Sequence, residues 1–309
     1  MAKTENPDKK KFDKDVRDLI DPNYKAGKFG YNETYFSESE FEKFVEEMES
    51  EYKNYYLCYM NGDGGELESK GGNPPKMACV ASSSRFIYTA LRYHPWARLG
   101  QIEGFTLNQG EEKLFCFEKK LQIKTENGEP VKGATPNLDA AYILGNHSIY
   151  IEAKMHEIFD CHYLKWSKTY LEKGLFSDGE RCMKIDPDKI SGPNSKDEIT
   201  IDRTAFGLKG KGPLYLDLKQ LVCHLLGIAN DDYKERELIY LLHKPDGLKG
   251  DYSKYYEGFE RQFETIANNG PVADFCRENR IALKLIYVTN DIITDGKPLE
   301  VRRVYPKGE

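Results

Sequence analysis

Between Pro136 and Glu157 the chain reads PNLDAAYILGNHSIYIEAKMHE, two apolar runs hinged on a Gly-Asn pair. Such a pattern reads as a β-hairpin, because Gly-Asn is a favoured pair for a type II′ turn and Gly145 tolerates the positive φ demanded at its first central position. With the turn at 145–146, Leu144 faces His147. The pairing then steps outward through Ile143 with Ser148, Tyr142 with Ile149, Ala141 with Tyr150 and Ala140 with Ile151, and reaches Asp139 with Glu152. Directly opposed residues hold their Cβ atoms about 4.5–5.5 Å apart on one face of a sheet. Side chains alternate with period two, so Lys154 points the same way as Glu152. Ile149, Ile151, Ala153 and Met155 fill one face and Tyr150 shares the other, which predicts a central strand rather than an edge.

Two carboxylates opposed on an otherwise apolar hairpin repel one another, and like charges in that position destabilise a sheet. A divalent cation offsets the repulsion directly. Hard oxygen ligands converging from two strands suit Mg²⁺, with Mn²⁺ as a possible substitute. A lysine beside the ion orients a water or stabilises developing charge, and the set is the equipment for metal-assisted phosphodiester hydrolysis. The tripeptide acid-x-Lys alone says little, since it recurs at Glu51, Glu118 and Asp217 among other places. Only the copy at Glu152 closes an apolar β-run with another acid placed across a hairpin. The opposing reading is a surface hairpin with Glu152 and Lys154 solvated and Asp139 merely starting a strand.

On these residues the chain resembles the PD-(D/E)XK nuclease superfamily, which has the restriction-endonuclease-like fold. The motif is an acid at a strand start, a hairpin, then Glu/Asp-x-Lys on the next strand. Here it becomes Pro136-Asn-Leu-Asp139 followed by Glu152-Ala-Lys154, with two residues between Pro and acid rather than none. The chain also resembles a group of uncharacterised bacterial endonuclease-like proteins over about residues 77–290. That likeness is carried by SSSRFIYTAL, the Phe-Glu of LFCFEKK, the Gln220-x-x-x-His224 helix and LKLIYVTN. The resemblance implies a central mixed sheet flanked by helices and Mg²⁺-dependent hydrolysis. It implies Asp139 and Glu152 as metal ligands and Lys154 serving the attacking water. Helices after the motif strand in this superfamily often lend a Gln, which makes Gln220 a further catalytic candidate.

Other residues carry two readings each. Glu118 shares a face with Lys120 and Gln122 and, if register holds through the Asn127-Gly128 turn, supplies a third carboxylate for a second metal; a bulge at Pro130 and Gly133 leaves it solvated instead. Gln220, His224 and Asp217 stack on the polar side of a helix, at the site or simply at the surface. Ser82, Ser83 and Ser84 either contact phosphates at a helix start or cap it. GLKGKGP and KKLQIK are basic clusters that track a phosphate backbone or form solvated loops. Glu157 supports the motif strand or is exposed. His156-Glu157 lacks the second His of a metalloprotease helix, because Asp160 stands there. Cys161, His162 and Cys182 lack the spacing of a zinc site.

The expected fold class is α/β, a central mixed β-sheet flanked by α-helices, with an N-terminal helical extension and an insertion after the motif strand. Residues 1–30 read as a mobile lead-in and 31–309 as one nuclease-like domain, with the insertion at 156–213. Helices are expected over 37–57, from the capping serines to Pro95, over 214–230, 259–269 and 271–279. Strands are expected over 114–123, on both arms of the hairpin, over 237–242 and over 281–290. No run of about 18 apolar residues exists to span a membrane, and the opening MAKTENPDKKKFDKDVRD lacks the apolar segment of a secretory signal. The seven cysteines stand singly, as reduced thiols in a cytoplasm do. Forty-five Lys and Arg against 51 Asp and Glu give a net charge of −6, so nucleic acid, DNA first, is expected at a local basic groove or a metal site rather than through a global field. No GxxxxGK[ST] loop is present, so ATP-driven translocation requires a partner. Restriction, repair or defence against mobile elements is the expected setting, and a homodimer is possible. Two other classes stay open: a catalytically silent member of the fold that binds nucleic acid or protein, and an unrelated α/β enzyme or scaffold.

Overall fold

A computed structural model of the chain describes residues 6–20, 34–61, 66–104, 113–131, 135–290 and 297–306. Helices α1 (Pro7–Ile20), α2 (Glu38–Glu51), α3 (Lys53–Met60), α4 (Ser83–Leu91) and α5 (Pro95–Glu103) come first. Strands β1 (Lys113–Lys120), β2 (Asn137–Leu144) and β3 (His147–Lys154) follow. An excursion then carries β4 (Lys165–Ser167), α6 (Thr169–Glu172), β5 (Ile190–Ser191) and β6 (Glu198–Ile201). The remaining elements are α7 (Leu218–Ala229), β7 (Glu235–His243), α8 (Ser253–Asn268), α9 (Pro271–Glu278), β8 (Ile281–Val288) and β9 (Val301–Tyr305).

The main sheet has the order β1-β2-β3-β7-β8-β9. Strands β3, β7 and β8 run parallel, and the outer pairs are antiparallel. The expected mixed sheet with helices on its faces is therefore what forms. The hairpin pairs Leu144 with His147 and continues in register to Ala140 with Ile151. The run from Leu238 to Leu242 is apolar and buried because β7 is central and covered on both faces. On one face Tyr55 and Tyr88 pack their rings against Phe117 at 5.0 and 5.7 Å. On the other, Phe259 and Phe263 of α8 meet Tyr240 at 6.0 and 5.5 Å.

The insertion builds its own small sheet, β4-β6-β5, around the fully buried Trp166.

Several expectations need correction. Residues 7–20 are not a lead-in without structure: α1 buries Phe12 and Val16, and Phe12 packs on Phe159 and Tyr252. The other lead-in residues, 1–5 and 21–30, lie outside the described residues apart from Asn6. The helix expected over 37–57 breaks at Tyr52, whose ring is held among Tyr55, Tyr88 and Tyr93. Ser37 caps its start with the reciprocal Ser37 and Glu40 hydrogen bonds of a capping box. Pro95 does not only end a helix. It occupies the first turn of α5, where its missing N–H leaves no acceptor short of a donor. Helix α7 starts at Leu218 rather than 214, because the Asp217 carboxylate accepts the Gln220 N–H at 3.0 Å and fixes the cap there. Gly227 decides how close α7 lies: a Cβ on it would stand 2.7 Å from Pro136 Cγ and 2.9 Å from Leu121 Cβ.

Candidate active site

Strand register assembles the site. Strands β1 and β2 pair Phe117 with Ala140 and Lys119 with Leu138, so Glu118 stands opposite Asp139. By the hairpin register Asp139 in turn stands opposite Glu152. Three carboxylates thus form one row across three neighbouring strands, and all three line a cleft of about 1000 Å³. The ladder lapses at this row. Asp139 Oδ2 accepts the Ala153 N–H at 2.6 Å, and Glu118 takes a φ of 51°, a left-handed conformation that a residue with a Cβ rarely adopts. The Asn137 amide donates to Glu118 Oε2.

Lys154 closes the row. Its Nζ lies 2.5 Å from Glu152 Oε1 and 2.8 Å from Gln220 Oε1 of α7. Lysine has three donors, so one N–H is left for a ligand in the cleft. Burial acts to depress this ammonium, but Glu152, Glu157 and Asp139 hold its pKa raised. The acids respond in the opposite sense. Burial first, then Glu152 and Glu118, push Asp139 well above the carboxylate range. Burial and the nearby Glu66 push Glu118 up to about 7. Like charges gathered in a partly desolvated place hold protons until a cation replaces them.

Glu66 and Lys76, paired at 2.5 Å on the cleft wall, carry no signal in the sequence, because they lie in a segment with no periodic pattern. His224 belongs to the site but not to a polar surface. It is 2 % exposed, with Nε2 3.7 Å from Glu152 Oε2, and burial lowers its pKa. Glu157 is held rather than exposed: Oε1 accepts from Ser83 Oγ at 2.6 Å and Oε2 from the Met155 N–H at 2.8 Å. Burial opposes its ionisation, yet His156, Lys154 and these bonds bring it down to about 2. Ser82 caps α4 through the Arg85 N–H, so the capping role is filled. Asp217 pairs with His162 at 3.3 Å. Neither basic cluster, 119–124 nor 207–213, lines the cleft. Gly133, on which one reading of Glu118 depended, lies outside the described residues.

The donor set fits a hard divalent cation. One oxygen of each row carboxylate, Asp139 Oδ1, Glu152 Oε2 and Glu118 Oε1, has no hydrogen-bond donor among the described residues. The row is nevertheless spread along the sheet. Among the described residues, only Asp13, Cys79 and His156 bring three ligand atoms within 4.8 Å of one another. No helix among the described residues is long and apolar enough to cross a membrane. Fold and site together define a mixed α/β protein with an acidic, lysine-backed cleft at one row of its sheet. No protein-family model, curated protein or solved structure matches the chain.

Proposed function

We propose that the protein is a Mg²⁺-dependent nuclease of PD-(D/E)XK type, acting on phosphodiester bonds, DNA first. The observation that supports this most is the row of Glu118, Asp139 and Glu152 backed by the buried Lys154. Asp139 and Glu152 would hold the cation, with Glu118 as a further ligand. A divalent cation held by these residues would neutralise the row and supply Lewis-acid polarisation of a phosphoryl oxygen. Lys154 is oriented by Glu152 and Gln220, so its remaining N–H is aimed where an attacking water or a developing oxyanion needs a donor. Gln220 acts through Lys154 as a positioning residue.

A second reading is a member of the same fold that binds nucleic acid or a protein without cutting. It is favoured by the spread of the row, whose oxygens do not converge as those of the Asp13, Cys79 and His156 group do. The deciding assay presents the full chain, with Mg²⁺ or Mn²⁺, to plasmid, single-stranded DNA and RNA beside Glu152→Ala and Lys154→Ala. Metal-dependent cleavage that Glu152→Ala abolishes and Lys154→Ala lowers steeply supports the nuclease. Cleavage that survives both, or binding without cleavage, overturns it.

A further inference from the structure

Three side chains that the chemistry above does not use meet at the rim of the cleft. Asp13 comes from α1, Cys79 from the segment before α4, and His156 from just past β3. One ligand atom of each lies within 4.8 Å of the other two, and His156 Nδ1 sits 2.9 Å from Asp13 Oδ1. Asp13 and Cys79 are only 3 % and 6 % exposed. Cys79 and His156 also line the cleft, so the group is walled on the protein side and reachable from the other.

Each ligand is anchored by its own element. The docking of Phe12 on Phe159 and Tyr252 fixes α1. Cys79 bridges to Tyr35, and its N–H donates to the Lys76 carbonyl. His156 follows Met155, whose N–H is taken by Glu157. Glu157 is itself fully engaged by Ser83 and Met155 and is not a further ligand.

The donor set selects the metal. Mg²⁺ prefers an all-oxygen shell. A thiolate, an imidazole and a carboxylate suit Zn²⁺, which takes four ligands from S, N and O. We propose that Asp13, Cys79 and His156 are three protein ligands of a Zn²⁺ site whose fourth position opens to the cleft. Binding displaces the thiol proton and any proton on the ligating imidazole nitrogen. It ties α1 and the approach to α4 to the exit of β3, two residues beyond Lys154. The site stands independently of any cleavage activity.

The test uses the full chain freed of metal by a chelator, then titrated with Co²⁺ in excess Mg²⁺. A thiolate-to-cobalt charge-transfer band should grow to saturation at one ion per chain and be displaced by Zn²⁺. Cys79→Ser should lose the band, whereas Cys161→Ser, at an exposed thiol, and Glu152→Gln should keep it. Absence of the band in the parent, or its persistence in Cys79→Ser, overturns the site. Should Cys79→Ser fail to fold, Asp13→Asn decides. It should weaken Co²⁺ binding about 10-fold or more, since even groups that only support metal ligands change affinity by about 10–100-fold, and unchanged affinity overturns the site.

Discussion

Glu118, Asp139 and Glu152 lie on adjacent strands, and pairing register alone sets them side by side. Asp13, Cys79 and His156 reach the same cleft from a helix, a connecting segment and a strand exit, and only tertiary packing joins them. The first group is all carboxylate, so each acid's neighbour across the sheet is another acid. In the second, the partners are complementary, with the His156 ring against the Asp13 carboxylate at 2.9 Å. The row therefore gathers like charges that a bound cation would offset, whereas the second group already pairs the His156 ring with the Asp13 carboxylate. Removing charge should have opposite consequences in the two places.

The largest effect should come from the cation that touches the row. Lys154→Met leaves the row without its ammonium, and breaking a buried ion pair typically costs about 3–5 kcal/mol. Urea unfolding at neutral pH without metal should show that loss, with Mg²⁺ restoring part of it. A variant as stable as the parent would mean that the acids do not load the fold. Next in size is the rate: Lys154→Ala should lower cleavage by about 10²–10³, the worth of a positioned electrostatic group. Cys79→Ser, measured in the same assay with Mg²⁺, should stay close to the parent. Equal losses would erase the distinction between the two groups.

Gly227→Ala sharpens the comparison from the side of α7. The new Cβ would meet Pro136 and Leu121 well inside contact distance, and overpacking of this kind costs about 1–3 kcal/mol. Because α7 carries Gln220, cleavage should fall too, while Co²⁺ binding at Cys79 is unaffected. The smallest effect is in pH. Glu118 is raised from 4.5 to about 7, so between those values the folded chain keeps a proton that the unfolded chain releases. Stability from this group falls as pH climbs through that window, and Glu118→Gln should flatten the fall. His156, raised above 6.5, contributes stability that is full below 6.5 and is lost as pH rises through its higher folded value. Unfolding measured from pH 4.5 to 8 on parent and variant separates the two windows; a difference confined above pH 7 would contradict the assignment to Glu118.

What was legible in the sequence follows the same division. The Gly145-Asn146 hinge fixes a period-two register, so Asp139, Glu152 and Lys154 could be aligned by counting. Glu118 could be placed only conditionally, because a long connection separates it from β2. Gln220 was legible as a helix-face residue, but the burial of His224 was not, since it depends on Gly227 bringing α7 onto the sheet. Helix α1 is rich in charge, and its apolar Phe12 and Val16 are too few to announce a buried face before Phe159 and Tyr252 are there to cover them. Glu66, Lys76, Asp13, Cys79 and His156 follow no spacing rule, because folding rather than local pattern makes them neighbours.

The central claim is that the acidic row holds a divalent cation. Calorimetric titration of Mg²⁺ into the metal-free full chain, beside Asp139→Asn, tests it most directly. The parent should bind saturably and gain stability as RT ln(1 + [Mg²⁺]/Kd), about 2.7 kcal/mol at 100 times Kd. Asp139→Asn should lose both binding and stabilisation, while Cys79→Ser retains them. No saturable binding in the parent, or the same binding in Asp139→Asn, would contradict the claim.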